Sequence, residues 1–247
     1  CLIVDHYGIS APWELVLRAR VDKIIVLDDL ANRKHDCDIL IDSSFKRKRI
    51  DYFDLVPINC KILVGLDYCL LRSEFKQVKL TNGTKQLNWP PRYLLVNLGG
   101  SDYRNLTKLI LMELEQSYLN SSIQVDVVVG EIFPYFDQLK SIAETSRLSV
   151  FVERGVRDMA ARMIKADFCI GAIGGSVWER CYMGCPSIAA AVAPNQRMGL
   201  QTLEFEKIVI SYSPDVPGNL AEVINRLNEK KLIDMSLRGT ELIDGLG

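Results

Sequence analysis

Short apolar runs alternate with amphipathic stretches along almost the whole chain. Residues 2–5, 23–28, 37–42 and 61–66 read as strands. Ser10 stands where it can cap a helix that carries Trp13, Leu15, Val16 and Leu17. Runs this short, with little polar interruption, belong to parallel sheets buried on both faces. Residues 79–91 break the pattern with Thr-Asn-Gly-Thr and Pro90-Pro91, and 79–92 reads as an interdomain linker. The alternation then restarts. Strands are expected at 93–98, 124–130, 148–153, 167–172, 186–192 and 208–212. Helices are expected at 105–119, 134–146, 156–166, from Ser176, at 196–207 and from Asn219. The pattern predicts an α/β protein of two Rossmann-like parallel-sheet domains, 1–78 and 93–247, the first short by several elements. No internal repeat or low-complexity tract interrupts it.

Composition narrows the function classes. The 247 residues carry 30 Lys and Arg against 31 Asp and Glu, a net charge of −1. That balance excludes a dedicated nucleic-acid binder, and the basic run Lys46-Arg47-Lys48-Arg49 reads as a solvated loop. No apolar run approaches membrane-spanning length, so no membrane partner is expected. Seven cysteines is an odd number, and Cys37 and Cys169 lie inside apolar runs. This points to buried thiols in a reducing, cytoplasmic compartment. Cys181 and Cys185 have metal-pair spacing but no second pair or nearby His, so no metal is expected. The chain opens at Cys1 on an apolar run with neither initiator Met nor signal-peptide pattern. It reads as a fragment that begins inside a domain.

The richest stretch is Asp167-Phe-Cys-Ile-Gly-Ala-Ile-Gly-Gly-Ser-Val-Trp-Glu179. It reads as a strand, a glycine turn and a helix opening at Ser176. Gly174, Gly175 and Ser176 could present N–H groups to an anion, with Glu179 in reach of a ribose. The competing reading is a capping box, since Ser176 and Glu179 fit Ser-x-x-Glu with no ligand needed. Other strand ends carry small or polar residues too. They are Asp5-His6-Tyr7-Gly8, Gly99-Gly100-Ser101-Asp102, Arg154-Gly155-Val156 and Pro194-Asn195-Gln196. Each has a structural alternative: a tight turn with Asp102 as a cap, or Asn195 as a loop residue. His6 abuts this edge, whereas His35, in Arg33-Lys34-His35-Asp36, reads as surface. Asp28-Asp29 reads as helix capping rather than a paired-acid site.

Taken in order, these motifs resemble a known family. Val156-Arg-Asp-Met-Ala160, Asp167, Gly174-Gly175-Ser176 with Glu179, Gly184-Cys-Pro-Ser187 and Asn195-Gln196 look like the carboxyl-terminal domain of MurG-like glycosyltransferases. The turn at Asp5–Gly8, Asp28-Asp29, Cys37-Asp-Ile-Leu-Ile-Asp42 and Leu98-Gly-Gly-Ser-Asp102 narrow the resemblance to hydrolases of the PseG type. The resemblance implies a GT-B fold. It also implies a UDP-linked diacetamido-trideoxy sugar as substrate, cleaved by water to UDP and free sugar in pseudaminic acid biosynthesis, without metal or cofactor. It implies uracil near Val156, ribose at Glu179 and diphosphate at Gly175-Ser176. Gly99, Gly100, Ser101, Gly174 and Gln196 complete the binding set, and Tyr7 and Asn195, facing each other across a cleft, are the catalytic positions. The family's Gly-x-Gly-His turn, whose His is the expected base, is absent from this sequence. His6 is a different residue and enters the catalytic set only as a substitute suspect. A transferase using a UDP-sugar donor, or a non-catalytic binding module, remain the alternative readings.

Overall fold

The computed structural model describes residues 1–247 except Thr84, Ser101 and Asn120, and describes Asn195 through its backbone only. The chain forms two compact units, Cys1–Leu71 with Ile243–Gly247, and Arg72–Leu242. All ten runs expected to be strands are strands, within two residues at either end.

The first unit holds β1 (Leu2–Val4), α1 (Ala11–Arg18), β2 (Ile24–Leu27), β3 (Ile39–Asp42) and β4 (Lys61–Val64). The strands pair in parallel in the order β1-β2-β3-β4. Val4, Ile24, Val26, Cys37, Leu40, Tyr52 and Cys60 form the core. Here several expectations fail. The sheet is not buried on both faces, since Ile3 is 64% exposed. Helix α1 turns Glu14 inward and leaves Trp13, Leu15 and Val16 outside. The reason is polar. Glu14 accepts from the Asp36 N–H at 2.6 Å and pairs with His35 Nδ1 at 2.7 Å. His35 is therefore buried, not on the surface. Ser10 precedes α1 without a side-chain cap. Asp28 caps no helix; it is buried, accepts from Ala31 N–H and Tyr52 Oη, and pairs with Arg33.

The second unit holds α2 (Ser73–Asn82), β5 (Tyr93–Asn97), α3 (Leu106–Gln116), β6 (Gln124–Val129), α4 (Phe136–Thr145), β7 (Ser149–Arg154) and α5 (Met159–Lys165). It continues with β8 (Phe168–Ala172), α6 (Ser176–Tyr182), β9 (Ser187–Ala190), α7 (Arg197–Phe205), β10 (Val209–Ser211), α8 (Asn219–Asn225) and α9 (Glu229–Leu242). Its six strands are all parallel, in the order β10-β9-β8-β5-β6-β7. Strands β8 and β9 are buried throughout and β5 from Leu94 on, as their largely apolar runs require. Helix α2 gave little apolar signal because only Phe75 is buried.

The described part of stretch 83–92 is bound to this second unit, and Asp167 is the reason. Its fully buried carboxylate accepts from the N–H and side-chain amide of Asn88 and from the N–H groups of Arg92 and Tyr93, at 2.7–3.0 Å. Lys85 adds bonds to the Met163 and Ile164 carbonyls. A cleft of about 760 Å³ opens beside Lys79, Lys85, Gly184 and Ser236. It lies by the amino ends of β8 and β9, and its two lysines already serve the carbonyls of Tyr182, Met163 and Ile164. It is a seam between elements, remote from the edge where ligands of such sheets bind.

Six of the seven cysteines are buried and none is bridged. Burial pushes the Cys169 thiol up to about 12 and raises Cys185 as well. An aromatic disulfide reagent is expected to titrate one thiol rapidly in the native chain, Cys1, and all seven after denaturation. Rapid reaction of three or more native thiols would contradict this packing. Among the described residues, no helix is long and apolar enough to cross a membrane.

Candidate functional site

In an open parallel sheet, ligands lie beyond the carboxyl ends of the strands, where the strand order reverses. The second sheet has one such point. From β5 the chain runs outward to β6 and β7, returns to β8 on the other side of β5, and continues to β9 and β10. The loops leaving β5 and β8 diverge there and open a crevice. Glycines occupy both: Gly99 and Gly100 after β5, Gly174 and Gly175 after β8.

Packing explains some glycines near this point and not others. A Cβ at Gly130 would lie 1.9 Å from the Gly100 carbonyl oxygen. One at Gly171 would lie 2.7 Å from Arg180 Nη1 and 2.8 Å from the Asn97 oxygen. Both are glycines because something already fills the place of a side chain. Gly99 needs its positive φ of +94°. Gly100, Gly174 and Gly175 have neither reason: their φ is not positive and a Cβ at each would meet nothing within 4 Å. The N–H groups of Gly174, Gly175 and Ser176 also have no acceptor among the described residues. An open, donor-lined surface is what a close-approaching anion requires.

The capping-box reading fails on geometry. Gly175, at φ −52° and ψ −29°, precedes the first turn of α6, and no side chain caps it. Ser176 Oγ accepts from Arg180 Nη1 at 3.2 Å, and Glu179 Oε1 accepts from Arg72 Nε at 3.1 Å. Glu179 is thus free of its own helix end. The opposite holds at Asp102. Its carboxylate accepts from the N–H groups of Leu106 and Thr107 and from Thr107 Oγ1, closing α3.

The other positions expected to bind occupy loops on the same edge of the sheet. Val156 follows β7 and Gly155, whose φ is +63°. Gln196 follows β9 and closes its own loop, its Oε1 accepting from Val192 N–H at 2.8 Å. Asn195 lies in the single turn Pro194–Gln196. Its side chain and all of Ser101 lie outside the described residues.

Tyr7 and His6 belong to the first unit, after β1. Tyr7 is 61% exposed and donates to Asp29 Oδ2 at 3.0 Å. Partial burial, reinforced by that bond, raises the Tyr7 phenol above its ordinary value; burial likewise raises the Asp29 carboxyl. Behind them, Tyr52 Oη lies 2.9 Å from Asp28 Oδ2 and 2.8 Å from Asp42 Oδ2, and Arg47 donates to Asp42 and to the Asp29 carbonyl. The ends of β2 and β3 are locked by this network. His6 Nδ1 accepts from Gly8 N–H at 3.0 Å. A neutral imidazole bound this way carries its proton on Nε2 and has no free lone pair for a base.

Sequence reasoning missed Asp29 as the partner of Tyr7, Arg72 as the partner of Glu179, and Arg180. Arg180 left a legible signal: a charged residue four positions after Ser176, on the helix face shared with Val177 and Cys181, opposite a glycine in an apolar strand.

No protein-family model matches the chain. The chain is 36% identical over 154 residues to the UDP-2,4-diacetamido-2,4,6-trideoxy-β-L-altropyranose hydrolase of Campylobacter jejuni, covering 62% of this chain and 52% of that protein. It therefore spans about half the length of this relative. It is 26% identical to the spore coat polysaccharide biosynthesis protein SpsG of Bacillus subtilis, over 100% of this chain and 73% of that protein. Among solved structures, MurG of Acinetobacter baumannii matches with a TM-score of 0.59 at 15% identity, over 94% of this chain and 66% of that one. The fold class is that of the GT-B proteins, and the resemblance read from the motifs is borne out in sequence.

Proposed function

We propose that this chain serves a nucleotide-sugar hydrolase of the PseG type, its second unit binding the UDP portion of a UDP-linked diacetamido-trideoxy sugar. The observation that carries the reading is the pair of open glycine loops at the single strand-order reversal, the second lined by the free N–H groups of Gly174–Ser176, in a chain 36% identical over 154 residues to such a hydrolase. The diphosphate meets the N–H groups at Gly174–Ser176 and the Gly99-Gly100 turn. Glu179 accepts from the ribose hydroxyls, displacing Arg72. The backbone at Val156 meets uracil, and Ser101 and Gln196 complete the pocket. Water then attacks the anomeric carbon with inversion, its surplus proton passing to bulk solvent. The bond from that carbon to the diphosphate oxygen breaks, and the charge that develops on departing UDP is met by the same N–H groups. Tyr7, oriented by Asp29, and Asn195 are the proposed catalytic contacts. His6 serves as a base only if its bond to Gly8 opens. Hydrolysis is favoured over transfer because the 36% relative is a hydrolase; a UDP-release assay with and without sugar acceptors separates the two.

The binding half is tested by calorimetry. Glu179→Ala is expected to weaken UDP about tenfold while leaving inorganic pyrophosphate within about twofold, since only the ribose contact is lost. Equal UDP affinity in both proteins would remove Glu179 from the site.

A further inference from the structure

Among the described residues, Arg180 is the largest fully buried side chain, with no exposed surface. Its three described bonds all go to neutral acceptors: Nε to Ser187 Oγ at 2.9 Å, Nη1 to Ser176 Oγ at 3.2 Å, Nη2 to the Ala172 carbonyl at 2.8 Å. No carboxylate pairs with it among the described residues. The acids of the surrounding elements are committed elsewhere: Asp167 to Asn88, Arg92 and Tyr93, Glu179 to Arg72, Asp102 to the start of α3. A buried charge is costly unless it is compensated, and a guanidinium cannot shed its proton to escape the cost. Neutral residues could fill this space more cheaply. The fold instead makes room for it, because a Cβ at Gly171 would collide with Nη1.

The location supplies the reason. Arg180 bonds Ala172 and Ser176, the two ends of the glycine turn, from beneath, while the upper surface of that turn is open. Full burial keeps solvent from screening it, so its field reaches through the turn to whatever lies above.

We propose that Arg180 is an electrostatic positioning residue that makes the Gly174–Ser176 turn selective for a multiply charged diphosphate over a monophosphate or an uncharged nucleoside, without itself touching the ligand. The inference rests on the proposed function, and deepens it: the compensating anion for the buried guanidinium is the substrate's own diphosphate. It differs from a purely structural role in one respect. A structural role lowers affinity for all ligands of the turn alike, whereas a charge effect scales with ligand charge and falls with salt.

The test is calorimetry of UDP, UMP and uridine on the wild type, Arg180→Lys and Arg180→Gln, each at low and high ionic strength. Wild type is expected to prefer UDP strongly over uridine. Arg180→Gln is expected to weaken UDP about tenfold to a hundredfold, UMP less, and uridine by no more than about threefold. Arg180→Lys, keeping the charge, is expected to restore most of the UDP-to-uridine ratio. Proportional loss of all three ligands in Arg180→Gln, or a ratio in Arg180→Lys as low as in Arg180→Gln, would overturn the proposal. Should Arg180→Gln fail to fold, Arg180→Lys decides alone: its ratio is expected within about fivefold of wild type at low salt, and collapse to no preference overturns the proposal. Wild type that binds no UDP would instead overturn the proposed function, before Arg180 is tested.

Discussion

Asp167→Ala is expected to destabilise the second unit by about 4 kcal/mol. The carboxylate is fully buried and gathers four donors from Asn88, Arg92 and Tyr93. Removing it leaves three backbone N–H groups and an amide without acceptors, and each such buried donor costs about 1–3 kcal/mol. Partial hydration and relaxation of the strand bring the sum down to the stated figure. Asp167→Asn is expected to recover little, since its NH₂ would face N–H donors on one side. Urea unfolding followed through Trp89 and Trp178 fluorescence measures both. A change below about 1 kcal/mol for Asp167→Ala would show that stretch 83–92 is held by other means.

Gly175→Ala is expected to separate folding from binding. The residue has ordinary helical angles, and a Cβ there meets nothing within 4 Å. The substitution should leave the midpoint of thermal unfolding unchanged, or raise stability by up to about 1 kcal/mol by restricting the unfolded chain. UDP affinity should nevertheless fall about a hundredfold. A methyl group in that space keeps the diphosphate off the turn, and losing two charge-assisted hydrogen bonds costs about 3 kcal/mol. Undiminished UDP binding by a stable Gly175→Ala protein would take the diphosphate away from this turn. An unfolded one would show that the glycine serves packing after all.

The strands were legible because a parallel sheet writes itself as short, largely apolar runs bounded by turn residues, as at 168–172 and 187–190. The candidate site was legible as a set of loops, since glycines and small polar residues cluster after those runs. Pairing among polar side chains was not legible. Glu179 and Ser176 matched a local capping pattern, yet each took a partner the pattern does not contain, Arg72 and Arg180. His35 sat among charged neighbours and read as surface, but Glu14 draws it inward from 21 positions away. Period alone put the apolar side of α1 inside, and the same Glu14 reversed it.

By itself, then, the sequence determined the alternation of elements, the two-sheet α/β class and the family resemblance, because these depend on local hydrophobic period and on ordered short motifs. Tertiary structure decided strand order, and with it which two glycine loops share the crevice, since order in a parallel sheet is set by crossovers that leave no local trace. It also decided which glycines are filled by neighbours and which stand open, and which charges are paired. Gly171 and Gly174 are the same residue three positions apart; the Arg180 guanidinium and the Asn97 carbonyl against one, and nothing within 4 Å of the other, tell them apart.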